Sequence, residues 1–321
     1  MVNLLVGILA GLVSALLAAT VTAGPPLGVL AYLTPLPILI GALGWNHRSG
    51  LVAAAAGAFA VALAFAPEAG LAFLAGAMTI WWLAYLTLLG RPGPDGSLEW
   101  YPLGRLLLWI TACSALLTLV VPIIRGVWDY DTYHAAAKVA AEASLRFYLR
   151  VPGGVPLPSA LGGVPSDRLV EAMATALPFV ASAFCTLVLT LNVWVAARTV
   201  AISGRLPRPW PAIARTRMPQ SALAPMALAV AAAFLAGFTG IVALTVAGAL
   251  AMAFALLGLA LLHDVSRGRP GRAGLLVGAY LLVALLSHAV LPLLALAGMA
   301  DTAVDLRRRL APGGSGPRSS T

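Results

Sequence analysis

The chain is poor in charge and almost without lysine. Charged residues make up 10% of 321, against about 25% in an ordinary soluble domain, which excludes a water-facing shell around a core of this size. Lys138 is the one lysine, and the other basic residues are arginine. The two cysteines, Cys113 and Cys185, lie inside apolar runs, which excludes a disulfide framework or thiolate metal site, and they read as small buried hydrophobes. No GxxxxGK[ST] phosphate loop occurs, so ATP hydrolysis by that route is excluded. No HExxH or CxxC is present, and His47, His134, His263 and His288 are too scattered for a local metal motif. Every Asp and Glu maps to a break or a span end, so the intramembrane acids of a simple proton antiporter are missing. Neither a cofactor nor an enzymatic activity is expected.

Hydrophobic residues are what the chain has in quantity: 61%, with a mean hydropathy of +0.95. A membrane helix takes about 20 apolar residues. Such runs fall at 2–23, 27–45, 51–66, 70–90, 104–124, 169–198, 222–239 and 242–263, and the long run 273–306 remains. The expected fold is all-α, a polytopic transmembrane bundle of about 8 spans plus a C-terminal helical hairpin, 9–10 membrane segments in all. Residues 1–310 read as one integral membrane domain and 311–321 as a disordered tail. Thr22–Ala23–Gly24 resembles a cleavage site, but no basic residue precedes the first run and further spans follow at once, so a retained first helix is expected.

The net charge of +9 sets the orientation. The break 198–219 carries Arg198, Arg205, Arg208, Arg215 and Arg217 with no acid, and cytoplasmic loops hold such arginines. This placement argues against nucleic acid as a partner. Counting back puts Arg48, Arg91 and Arg105 inside and Glu68 outside, with the N-terminus cytoplasmic. Counting forward, 263–272 is inside with Arg267, Arg269 and Arg272. A single further crossing would strand Arg307, Arg308 and Arg309 outside, against the rule. Residues 273–306 would also make a helix of about 50 Å, too long for a core of roughly 30 Å. Pro292 is able to break it. A hairpin descending from Gly274 and returning after Pro292 resolves both problems and puts both termini in the cytoplasm; one crossing followed by an interfacial helix is the alternative.

The insert 125–168 joins an alanine-rich helical stretch, 128–150, to a Pro/Gly loop. It reads as an amphipathic helix on the outer membrane surface or as a lid over an outward-facing pocket. His288 lies in an apolar run; it is either an ionisable functional group or a neutral ring bonded to a carbonyl freed by Pro292. Asn192 suits an interhelical hydrogen bond better than a substrate contact. The aromatics of 79–86 read as an interfacial belt or packing, or as a stacking platform. Gly7, Gly11, Ala15 and Ala19 form a small-residue face for close helix approach. Asp301 and Asp305, one turn apart, read as a helix-end charge cluster in which Asp305 pairs with Arg308 or Arg309.

These residues resemble a family. In LNVWVAARTVAISGRLPRPWPAIARTRMP (191–219), the Asn192–x–Trp194 helix end leads through Arg198 into Arg208–Pro209–Trp210–Pro211. LAGMADTAVDLRRRL (296–310) carries Gly298, Asp301, Asp305 and Arg307 in the spacing Gly–x–x–Asp–x–x–x–Asp–x–Arg. Both resemble segments of the YybS-like predicted bacterial membrane proteins of alphaproteobacterial type, a domain of unknown function. YLTPLPILIGALGWNHRSGLVAAAAGA (32–58) is more distantly similar to the second-to-third helix region of substrate-binding subunits of energy-coupling-factor transporters. That likeness implies docking of the first helix on a coupling subunit, through Ala15 and Ala19. The expectation is therefore a non-enzymatic, substrate-binding or transport-related protein of the bacterial inner membrane, served by a separate ATPase, with its pocket outside under the insert. The alternative is a scaffold for envelope or division proteins.

Overall fold

The computed structural model describes residues 1–310 apart from Trp210. Trp210 and the segment 311–321 lie outside the described residues. The chain begins with α1 (Val2–Ala19), a single turn α2 (Pro25–Gly28), α3 (Pro35–Gly44), α4 (His47–Ala64) and α5 (Pro67–Thr87). A tight hairpin of β1 (Gly90–Pro92) and β2 (Leu98–Trp100) leads to α6 (Leu103–Ile124). Then come α7 (Tyr130–Leu149), the short pair β3 (Ala160–Leu161) and β4 (Val164–Pro165), and α8 (Ser166–Ile202). The rest is α9 (Leu223–Ala232), α10 (Phe238–Val265), α11 (Arg272–Leu285), α12 (Ser287–Val304) and α13 (Leu306–Leu310). The architecture is an all-α bundle.

Among the described residues seven helical stretches are long and apolar enough to cross a membrane, and Val29–Gly44, Gln220–Ala232 and Arg272–Leu285 are shorter apolar ones. The expected span 222–239 is thus not one helix. Gly237, at φ +74, turns the chain after α9, and a side chain at Gly240 would strike the carbonyl of Leu235.

Local chemistry explains the ends. Pro35 and Pro67 open α3 and α5, where a missing N–H costs nothing. Asn46 caps α4 by accepting from the Arg48 amide at 2.9 Å. Buried hydroxyls inside the spans donate to carbonyls one turn back, as Thr186 does to Ser182 (2.9 Å) and Thr245 to Ile241 (2.8 Å), which leaves no polar group facing hydrocarbon there.

Between apolar helices in lipid, association depends on close van der Waals fit. Glycines provide it. A Cβ at Gly7 or Gly11 of α1 would strike Ser49, Val52, Ala53 or Gly57 of α4, so the small-residue face of α1 is occupied from within the chain. These contacts advance together along both helices, so α1 and α4 run parallel. Gly248 of α10 abuts Phe179 of α8, Gly258 abuts Leu294 of α12, and Gly298 of α12 abuts Phe254. Most of α10 is buried; it is the axis on which α6, α8, α9 and α12 pack.

The hairpin over 273–306 turns at Leu286 (φ −130°, ψ 40°), not at Pro292, which lies inside α12. α12 packs on α10 at Gly298, and Asp301 near its end is bonded to Arg307. Pro292 forfeits one helical hydrogen bond and the helix continues.

Charge divides the molecule into two ends. At one end Arg205 lies over the Trp45 ring (4.5 Å), Arg208 donates to Thr87 and Tyr101, Arg217 pairs with Asp305, and Arg307 donates to Ala214. The parallel course of α1 and α4 brings Met1 to this end also. At the other end are Glu68, the α4–α5 turn and α7. Asp129 caps α7 through the Thr132 amide (2.8 Å). Ala137 and Ala141 pack α7 against Ala174 in the first turns of α8, and Lys138 and His134 reach Glu171 at 2.6 and 2.8 Å. The insert thus stacks on an extension of α8, whose 37 residues make about 55 Å.

Candidate functional site

A cavity of about 510 Å³ lies at the arginine-rich end, between α6, α8 and α10. This volume is within the range of small-molecule sites, roughly 300–1,000 Å³. Leu106, Leu107 and Ile110 of α6 form one wall, Leu191 and Trp194 of α8 a second, and Leu256 and Leu259 of α10 a third. The loop after α8 closes the end with Leu206, Arg208 and Thr216, and Tyr280 of α11 stands beside His263 with Nε2 and the phenol oxygen 2.9 Å apart. Leu191, Trp194 and Tyr280 are each more than 40% exposed, so the cavity opens sideways from the bundle.

Arg208 is the charge at this site. Only 8% exposed, it donates to the carbonyl of Thr87 at the C-terminal end of α5 (3.2 Å) and to that of Tyr101 (3.4 Å), with Trp100 5.9 Å away. The free carbonyls of a helix C-terminus favour a cation. Among the described residues no carboxylate pairs with it, and burial pulls its pKa below the ordinary arginine value. A guanidinium nevertheless stays protonated in proteins. Among the described residues neither its Nε–H nor the buried hydroxyl of Thr216, another lining residue, has a hydrogen-bond partner, a condition that costs about 1–3 kcal/mol for each group.

Trp194 lines the cavity wall, and Pro209 is exposed beside Arg208. Arg198 is exposed near the end of α8. Asn192 points elsewhere: its amide nitrogen donates to Tyr32 (2.9 Å) and Val188 (2.8 Å), joining α8 to the turn before α3. His288 is exposed at the start of α12, and no hydrogen bond of its ring is seen among the described residues. Gly298 is a helix-crossing contact.

Asp301 accepts from the Arg307 amide (3.1 Å) and Nε (2.8 Å), and Asp264 is 3.9 Å from the same guanidinium. Asp305 caps α12 in the left-handed conformation and accepts from Arg217 at 2.8 Å. Its partner is therefore the loop arginine across the fold, not the side chain of Arg308 or Arg309, because the left-handed residue ends the helix that would have aligned them. The hydrogen bond from Arg217 is the first cause that lowers the Asp305 pKa, with Arg308 adding to it. Gln220 donates to Ala303 at 3.3 Å. The two segments with the family-like motifs, 191–219 and 296–310, are thus joined at one end of the bundle. His288 and Asn192 stand apart from the cavity.

Sequence reasoning singled out neither Thr216 nor Tyr280, and read Arg208 as one of five equivalent loop arginines. Nothing local separates Arg208 from Arg205 or Arg215; only the approach of α5 and β2 buries it. The aromatics of 79–86 pack together: Trp82 lies 5.7 Å from Tyr85 and 5.4 Å from Trp109, whose indole donates to the Tyr101 hydroxyl at 3.1 Å. At the other end a shallow, open groove runs past Arg168, Glu171 and Leu244. Among the described residues no three His, Cys, Asp or Glu side chains converge as metal ligands. No family model, curated protein or solved structure matches the chain.

Proposed function

We propose that the chain is a multi-pass protein of the bacterial inner membrane, with both termini and the arginine-rich end in the cytoplasm. It acts there as a non-enzymatic, transport-related subunit that binds a small molecule. The observation that carries this reading is the apolar cavity between α6, α8 and α10 with Arg208 in its wall, which no carboxylate pairs among the described residues. The binding site is then at the cytoplasmic end rather than outside under the insert. Without a phosphate loop, energy would come from a separate ATPase. Of the docking residues expected on α1, Ala15 is buried within the fold, as are Gly7 and Gly11, so such a partner would dock elsewhere on the chain.

One observation favours a second reading, an envelope scaffold. α11 has no fully buried residue, so most of its apolar surface is open to lipid or to another helix. Purification from the native membrane, followed by mass spectrometry of proteins and small molecules, separates the two. A bound metabolite with an ATPase supports the first. Envelope proteins with no small molecule would replace it by the second.

A further inference from the structure

The ligand class of this cavity follows from its chemistry; the inference rests on the binding role proposed above. We infer that the cavity takes one hydrocarbon chain bearing an anionic headgroup, phosphate or carboxylate, with Arg208 and Thr216 holding the head and α8 and α10 the tail.

Three observations converge. First, the lining is almost wholly apolar, leucine above all, which gives no purchase to a sugar or a nucleotide base but suits an alkyl chain. Secondly, the polar groups are gathered where the loop meets the helices. Among the described residues Arg208 has no acid beside it, and its Nε–H and the Thr216 hydroxyl are two buried donors without partners. A planar guanidinium presents N–H groups in the fork that matches phosphate and carboxylate oxygens, and with only neutral carbonyls bonded to it its charge favours an anion. Thirdly, the opening faces sideways past Leu191, Trp194 and Tyr280, where a molecule dissolved in the bilayer enters tail and head together. Trp and Tyr are the residues that favour the headgroup level of a membrane. His263 and Tyr280, bonded to each other, stand at that rim.

Two sources share this chemistry: a phospholipid of the adjacent leaflet, and a single-chain amphiphile such as a fatty acid or alkyl phosphate. The test uses the full-length protein in dodecyl maltoside, with dodecyl phosphate, palmitate, phosphatidylglycerol and, as neutral control, dodecanol as probes. Thermal melting and native mass spectrometry are the readouts. The anionic probes should raise the melting temperature and stay bound in the mass spectrum, while dodecanol does neither. Arg208→Gln should weaken anion binding by roughly 10- to 100-fold, the range expected for lost hydrogen bonds to a charge. Arg208→Lys, which keeps the cation, should retain much of it. Should Arg208→Gln fail to fold because Thr87 and Tyr101 lose their donor, Thr216→Val gives the same test at the second orphaned group, with a smaller loss.

Equal binding of dodecanol and dodecyl phosphate, unchanged by these variants, overturns the anionic-head inference and leaves a cavity that binds neutral chains. Absence of binding by every probe overturns this inference, whereas the binding role itself falls only if the natively purified protein also carries no small molecule. Tighter retention of phosphatidylglycerol than of the single-chain probes identifies the leaflet as the source, and the reverse order identifies a single-chain ligand.

Discussion

Arg307 folds back on Asp301 six residues before it, Nε to Oδ2 at 2.8 Å, and both side chains are almost sealed from solvent, at 4% and 6% exposed. The carboxylate also caps the Arg307 amide, and the guanidinium reaches Ala214 in the loop after α8. One ion pair thus links the end of α12 to a segment nearly a hundred residues earlier.

Removing one partner strands the other. Asp301→Asn should destabilise the C-terminal half by about 3–5 kcal/mol, the cost of breaking a buried pair. Replacing both together, Asp301→Leu with Arg307→Met, should recover most of the loss. Thermal melting in detergent measures each, and a double variant as unstable as the single one would show that the charges hold the loop in some further way.

Gly298→Val should separate α10 from α12, because a side chain there meets the Phe254 carbonyl. Overpacking of this kind costs about 1–3 kcal/mol. Gly278→Val on α11 has open space around it and should stay within roughly 0.5 kcal/mol. The pair of melts, compared directly, tests whether α11 is as unpartnered in the detergent-solubilised protein as in the fold.

The Arg217–Asp305 tether should respond to acid. Its carboxyl is held below the ordinary 3.8 by the hydrogen bond from Arg217 first, and by Arg308 next. A lowered carboxyl pKa contributes stability that is fully present above 3.8 and is lost as pH falls through the folded value beneath it. Proteolytic release of the C-terminus should therefore be flat from pH 7 to about 4 and rise below that. Asp305→Asn should remove the pH step and leave release faster throughout; an unchanged step would place the acid response at another group.

The proposed orientation is testable by cysteine labelling in a Cys113→Ala, Cys185→Ala background. Glu68→Cys and Asp131→Cys should react with an impermeant maleimide in intact cells, and Arg91→Cys and Arg269→Cys only after permeabilisation. Reaction of Arg269→Cys from outside would invert the arginine-rich end.

The helices and their segregation by charge are legible in the sequence because both follow from the solvent: lipid demands apolar length, and arginines gather in the breaks. The span edges at α4, α5, α6 and α10 fall within a few residues of the apolar runs for that reason. What pairs with what is less legible. Pro292 is the local helix breaker, yet the turn falls at Leu286, where the sequence ALLSHAV carries neither Gly nor Pro. Gly7 and Gly11 announce a close helix partner without saying that it is α4. Arg208 is the sharpest case: its meaning depends on Thr87 and Tyr101, more than a hundred residues away in the chain.

The unbroken course of α8 has a mechanical side. Its first turns carry the layer made with α7, and its last turns, through Leu191 and Trp194, are a wall of the cavity. A rod of that length transmits tilt, so a displacement of its α7-bound end moves the cavity wall at the other. Pro178, buried in the helix, is where that lever lacks a backbone hydrogen bond and bends most readily. Events on the two sides of the bundle are therefore geared together by a single stretch of backbone.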